Sequence, residues 1–132
     1  MAVELYNDGK HVCLAFYDLV DEVHDHAVQC NQFLIADLAT ELLLTESWLD
    51  HVAGLVESGA ENFGIEASMA KLRASDLAMR MATECVQMHG GYGYVRDNRA
   101  ERLMRDAKIT QIWEGTNQVH RQLIGRSFAA RG

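Results

Sequence analysis

Proline is absent from the 132 residues, and cysteine appears only three times. With the strongest helix breaker missing, long uninterrupted helices are permitted. The cysteines, Cys13, Cys30 and Cys85, are odd in number and form no C-x-x-C pair, which fits a reducing compartment better than a disulfide scaffold. No run of about 18 apolar residues exists, so no membrane span is expected. The opening MAVELYNDGK has neither the charged start nor the apolar run of a secretory signal. Basic residues are nearly missing from the first half: residues 1–64 hold twelve Asp/Glu against a single Lys. A segment this acidic repels a phosphate backbone, so nucleic acid is not an expected partner. Metal ligation has little support either. His24 and His26 stand two apart, which on a helix places them on different faces. No Glu is followed three residues later by His, as a di-iron bundle requires.

What is present reads as one helical domain over residues 1–132, long enough to bury a core and 48% hydrophobic. The net charge is −7, but residues 95–132 carry eight Lys/Arg against four Asp/Glu. This basic tail can pair with the acidic front or with an anionic cofactor. Apolar residues recur at helical spacing almost throughout. Asn7-Asp8-Gly9 opens a first helix, near 10–24, with Val12, Phe16, Leu19, Val20 and Val23 on one face. The polar His24-Asp25-His26 turn interrupts it. A longer helix, near 27–57, carries Phe33, Ile35, Leu38, Leu42, Thr45, Leu49, Val52 and Val56, and Ser58-Gly59 ends it.

The next helix, near 63–89, has Ile65, Met69, Leu72, Met79 and Val86 on one face. A strip of small residues, Ala67, Ala70, Ala74, Ala78 and Ala82, runs beside that face and admits close helix approach. Gly90-Gly91 stops this helix, and GYGYV is expected as a loop. Asn98 with Glu101 marks the start of a short helix near 99–108, supported by the Glu101–Arg105 pair. A last helix, near 116–129, has Val119, Leu123 and Phe128 inward. Nothing alternates with period two for long enough to form a sheet. The expected fold is all-α, an up-and-down four-helix bundle with one short extra helix.

The motifs, taken singly, leave alternatives open. HGGYGY is a helix end followed by a turn, and its backbone N–H groups can approach an anion. It is not a Walker loop and follows no strand. Arg96, Arg99, Arg102, Arg105 and Lys108 step by threes, so they fan around a helix rather than line one face; they read as solvated charges and ion pairs. Glu114 lies between Trp113 and Gly115-Thr116. An indole beside a carboxylate offers the partial shelter from water in which general bases are tuned. A Glu just before a helix is equally favoured by the helix dipole.

Together these motifs identify a family. The run MAKLRASDLAMRMATECVQMHGGYGYVRDNRAERLMRDAKITQIWEGTNQVHRQLIGR, Met69 to Arg126, resembles the C-terminal domain of acyl-CoA dehydrogenases. It carries the M-A-K-L-x-A-S-x-x-A helix, the Q-x-H-G-G-x-G-Y turn, the R-D-A-K-I segment and the I-x-E-G-T-x-Q stretch with its following Arg, in the family's order and spacing. The resemblance continues upstream through I-A-D-L-A-T-E-L, Ile35 to Leu42, where the family has a similar L-A-D-M-A-T-E, and Gln29 matches a family Gln. Residues 1–26 depart from it. Counting back from Gln29 to the family's FAD-contacting Arg and its Phe-Gly lands on Asp18, Asp21 and Glu22, and acidic groups there repel a pyrophosphate. Trp113 stands where Tyr is more usual.

The resemblance implies oxidation of the Cα–Cβ bond of an acyl-CoA, with a Glu taking the α-proton and FAD taking the β-hydrogen as hydride. Glu114 falls on the position of the catalytic base, and Gly115 beside the substrate thioester. Thr116 and Gln118 fall on FAD-contacting positions, with Asn117 between them. Gln87, Gly90 and Gly91 fall on the turn that contacts the adenosine side of an FAD bound mainly to a neighbouring subunit. The family enzymes are several times longer, with an N-terminal helical domain and a middle β-domain around the flavin. The isolated chain is therefore expected to be inactive by itself and to hold FAD weakly or not at all. A homo-oligomer, the missing domains or a partner chain would complete it, in the cytoplasm or, in a eukaryote, the mitochondrial matrix. The alternative is a non-catalytic helical module kept for oligomerisation. The acidic front favours that alternative, and the intact I-W-E-G-T motif opposes it.

Overall fold

The computed structural model describes residues 29–130. Every regular element among them is helical: α1 (Gln29–Glu57), α2 (Gly64–Met88), α3 (Gly91–Tyr94), α4 (Arg99–Thr110) and α5 (Asn117–Ala129). The fold is the expected all-α, up-and-down four-helix bundle class. The helix expected near 10–24 and the His24-Asp25-His26 turn lie outside the described residues. No helix among the described residues is long and apolar enough to cross a membrane.

Helix α1 buries Leu38, Leu42, Thr45, Leu49 and Val52. The alternating steps of four and three keep these side chains on one stripe over several turns. Phe33 (62% exposed) and Val56 (38%), expected on the same stripe, face outward; Leu34, one turn before Leu38, packs against the core in place of Phe33. The helix ends as Ser58-Gly59 foretells. Gly59 takes φ 72, and Ala60 N–H reaches back to the Leu55 carbonyl at 3.0 Å, a closing bond that satisfies an otherwise orphaned acceptor. The Trp48 indole N–H then donates to the Glu66 carbonyl at 3.3 Å, tying α1 to the first turn of α2.

Helix α2 is the hub: it lies against each of the other four, and the one further close pair is α3 with α4. This placement corrects the expected inner face. Ile65, Met69, Leu72, Met79 and Val86 are only half-buried. The innermost line runs instead through Ala70, Leu77, Ala78, Met81, Ala82 and Cys85, with the polar Ser68, Lys71 and Ser75. A helix contacted on several sides needs small side chains where its neighbours come closest. Thus Ala78 and Ala82 meet Ala107 of α4, while Leu77, Met81 and Cys85 fill the space toward Leu38 and Leu42 of α1.

The Gly90 stop is real, with φ 58. GYGYV does not remain a loop, however: Gly91–Tyr94 form one helical turn. Gly93 makes that turn possible by packing onto the end of α2, where a Cβ would stand 2.6 Å from the Val86 carbonyl oxygen and 2.8 Å from the His89 Cβ. Asn98 caps α4 by accepting from Ala100 N–H at 2.8 Å, and Arg105 holds Glu101 through two bonds of 2.9 and 3.2 Å. Helix α4 runs to Thr110, two residues past the expected end. The last helix corrects another expectation. Val119 (45%), Leu123 (44%) and Phe128 (54%) are exposed, and the buried residues of α5 are Asn117 and His120. Polar contacts fasten α5 at its first turn.

Candidate active site

The segment between α4 and α5, together with the first turn of α5, carries most of the residues singled out from the sequence. Ile112 and Trp113 still donate to the Ile109 carbonyl, at 2.9 and 3.0 Å, so they continue the turn of α4. Glu114 (φ 53) and Gly115 (φ 92) then reverse the chain in left-handed conformations. Glu114 is the one non-glycine residue at positive φ among the described residues. Such backbone costs energy for a residue with a Cβ and persists only where its surroundings enforce it. Thr116 returns to extended backbone and caps α5, its hydroxyl accepting from Val119 N–H at 3.4 Å. Asn117 N–H closes the segment onto the Gln111 carbonyl at 3.1 Å.

Buried polar side chains stand behind this turn. Lys71, 2% exposed, donates from Nζ to the Gly115 carbonyl and to Asn117 Oδ1, both at 2.7 Å. The Asn117 amide has one sensible orientation, since an ammonium only donates and a carboxylate only accepts. Its Oδ1 faces Lys71, and its Nδ2 donates to Asp76 Oδ1 at 2.7 Å and Ser75 Oγ at 2.9 Å. Ser75 in turn donates to the Lys71 carbonyl at 2.7 Å. Asp76 also accepts from Gln111 Nε2 at 2.8 Å and pairs with Arg121. Burial pushes the Lys71 ammonium below its usual range, and the negative charge of Asp76 opposes that shift. His120, 8% exposed, places Nε2 at 3.2 Å from the Glu114 carbonyl. A carbonyl only accepts, so Nε2 carries the proton.

The structure brings Glu114, Gly115, Thr116, Asn117 and Gln118 together and sets Gln87, Gly90 and Gly91 apart. Lys71 and Gln87 share helix α2 and are about 24 Å apart along its axis at 1.5 Å per residue. Glu114, Gly115 and Gln118 are exposed and Thr116 is half-buried. The Asn117 side chain is turned inward, 2% exposed, with both ends of its amide engaged within the chain. Shelter of Glu114 by Trp113 is not found among the described residues, because the carboxylate is exposed and the indole is itself 41% exposed. At the distant turn, a Cβ on Gly90 or Gly91 would meet nothing within 4 Å. Gly91 also lacks a positive φ, so nothing among the described residues requires glycine there.

Sequence reasoning missed Lys71, Ser75, Asp76, Gln111, His120 and Arg121 as site residues. A signal existed for two of them. Lys71 and Ser75 lie one helical turn apart and adjoin the alanine strip, so they are polar residues set into a face built for burial.

Comparison with known proteins identifies the family. The family profile described as "Acyl-CoA dehydrogenase, C-terminal domain" matches residues 22–129. The chain is 46% identical over 97 residues to a cyclohex-1-ene-1-carbonyl-CoA dehydrogenase of Geobacter metallireducens, across 74% of this chain and 26% of that protein. It is 49% identical over 94 residues to an acyl-CoA dehydrogenase of Bacillus subtilis, across 71% and 24% respectively. The solved structure of butyryl-CoA dehydrogenase from Megasphaera elsdenii is similar with a TM-score of 0.84 at 32% identity, covering 97% of this chain and 34% of that one. The chain thus spans about a quarter of the length of the curated relatives it matches.

Proposed function

The chain belongs to the acyl-CoA dehydrogenase family, as its C-terminal helical domain, and on that premise we propose that it contributes Glu114 as the base in α,β-dehydrogenation of an acyl-CoA thioester. Membership places it in an oxidoreductase family. Its relatives include enzymes named for cyclic and for straight-chain acyl groups, so the acyl chain is left open here.

The observation that carries the reading is the backbone of Glu114. The strained positive φ turns the peptide carbonyls of Glu114 and Gly115 inward onto His120 and Lys71, and the carboxylate stands on the exposed side. Strain enforced by a buried network is the mark of a placed functional group. In the proposed reaction the Glu114 carboxylate accepts the α-proton of the thioester. Gly115, without a side chain, leaves room for the thioester beside it. Bound FAD supplies the acceptor for the β-hydride. Thr116 and Gln118 would face the flavin side. Gln87, Gly90 and Gly91 would meet the adenosine side of an FAD held mainly by a neighbouring copy, and their separation from Glu114 along α2 fits service to a different active site. The open space at Gly91, with no internal need for glycine, fits close approach of a cofactor. Asn117 serves through its inward contacts rather than by touching the cofactor with its side chain.

A base for a weak carbon acid must be kept from bulk water, and Glu114 is exposed in this chain. Catalysis therefore requires further protein over the segment, from the domains that its relatives carry or from a partner chain. The chain alone is expected to be inactive and to lose FAD on gel filtration; stoichiometric retention would contradict this. The reading is tested by incubating the flavin-loaded enzyme with acyl-CoA and an electron acceptor. Product lighter than substrate by two hydrogens, unsaturated between Cα and Cβ, supports it. Recovery of unchanged thioester under conditions that reoxidise the flavin overturns it in favour of a non-catalytic assembly module.

A further inference from the structure

We propose that Lys71 and His120 are positioning residues for Glu114, holding from behind the two successive carbonyls that fix the direction of its carboxylate. The inference rests on Glu114 being the base, and it adds residues that act without touching substrate. The two donors come from different helices. Lys71 Nζ, from the middle of α2, lies 2.7 Å from the Gly115 carbonyl. His120 Nε2, from the first turn of α5, lies 3.2 Å from the Glu114 carbonyl. Both donor side chains are more than nine-tenths buried, so each donor has few competing acceptors in water.

Lys71 is itself fixed. Lys71 is held by Asn117 Oδ1, and Asn117 by Ser75 and Asp76. Asp76 also holds Gln111 at the start of the segment and Arg121 beyond its end. The network therefore grips the segment at its entry, its apex and its exit, and leaves the carboxylate untouched. Gly115 adds a steric limit: a Cβ there would stand 3.1 Å from His120 Nε2, so the imidazole packs directly beneath the turn.

A turn with two consecutive left-handed residues, one of them Glu, does not persist through local preference. Without the inward bonds the segment relaxes and the carboxylate moves with it. A misplacement of about 1 Å at a reacting group is enough to cost about 100-fold in rate. The loss falls most heavily on proton removal, the step that depends on the direction of the carboxylate.

The test uses the flavin-loaded enzyme carrying Lys71→Met, His120→Phe, His120→Gln or Glu114→Gln. Each is mixed anaerobically with an acyl-CoA that the parent oxidises. The limiting rate of flavin bleaching, the half-saturating thioester concentration and the flavin content are measured. Lys71→Met and His120→Phe should lower the limiting rate about 100-fold, with half-saturation and flavin content near the parent's. His120→Gln, which keeps an N–H donor at similar reach, should recover most of the loss. A purely structural role would instead lower flavin content, shift half-saturation and gain nothing from Gln. Parent-like limiting rates in both Lys71→Met and His120→Phe, with Glu114→Gln inactive, overturn the positioning role alone. Parent-like bleaching by Glu114→Gln overturns the base assignment as well. Failure of both Lys71→Met and His120→Phe to fold assigns the contacts to folding and overturns the proposal.

Discussion

Replacing Gly93 with alanine tests how the turn after α2 is built. The added Cβ would stand 2.6 Å from the Val86 carbonyl oxygen and 2.8 Å from the His89 Cβ. The first of these is backbone inside α2 and cannot rotate away, so either α3 lifts off the helix end or the last turn of α2 distorts. Forcing one methyl into such a contact costs about 2 kcal/mol. For a domain of this size that lowers the melting temperature by about 7 °C. Gly91→Ala is the internal control. Its Cβ meets nothing within 4 Å, and the alanine narrows the unfolded ensemble, so stability should hold or rise by about 0.5 kcal/mol. Melting followed by circular dichroism at equal protein concentration compares the two variants. A Gly93→Ala variant that melts within about a degree of the parent would refute the packing argument, as would equal losses in both. If Gly91 is kept open for a cofactor, Gly91→Ala should weaken FAD retention in the flavin-loaded enzyme without lowering the melting temperature of the chain.

Acid stability should respond to Glu41, which bridges Arg73 and Arg80. Burial works against its ionised form, but the Arg80 hydrogen bond and the charges of Arg73 and Arg80 outweigh that and hold its carboxyl below the ordinary 4.5. A depressed folded value gives stability that is present above 4.5 and lost as pH falls through the folded value. Glu41→Gln should therefore cost about 1 kcal/mol near neutral pH. The gap in urea midpoints should close in acid, and a gap that stays constant with pH would contradict the ion-pair account. Association should follow from the outward Val119 and Leu123, one turn apart on α5, with Phe128 beyond them. Sedimentation at micromolar concentration should find a dimer or larger, and Leu123→Glu should weaken it; a parent that sediments as a monomer would contradict this.

The signals that worked in the sequence were short-range ones. The steps from Leu38 to Val52 define one face of α1 through spacing alone. Asn98 caps Ala100 two residues on and Glu101 meets Arg105 one turn on, and Gly59 and Gly90 declare their own conformations. What was not legible depended on neighbours remote in sequence. Lys71 meets Gly115 across 44 positions, and no local pattern announces that. The choice of Ala70, Leu77, Ala78, Met81, Ala82 and Cys85 over Met69, Met79 and Val86 as the inner line of α2 depends on how many helices surround it. Helical spacing marks Val119 and Leu123 as neighbours one turn apart, but not whether the same chain covers them, and both are exposed, as is Phe128. Residues 114–118 were picked out by motif resemblance as one group, and they do lie together. The inward turn of Asn117 and the positive φ of Glu114 came only with the fold.

The base assignment is tested most directly by Glu114→Gln in the flavin-loaded enzyme. The change is nearly isosteric and removes the basic oxygen while leaving the inward carbonyl in place for His120. Mixed anaerobically with acyl-CoA, the variant should bind its flavin and the thioester as the parent does, yet show no bleaching of the flavin band on the parent's timescale. Bleaching at the parent rate would contradict the assignment of Glu114 as the base.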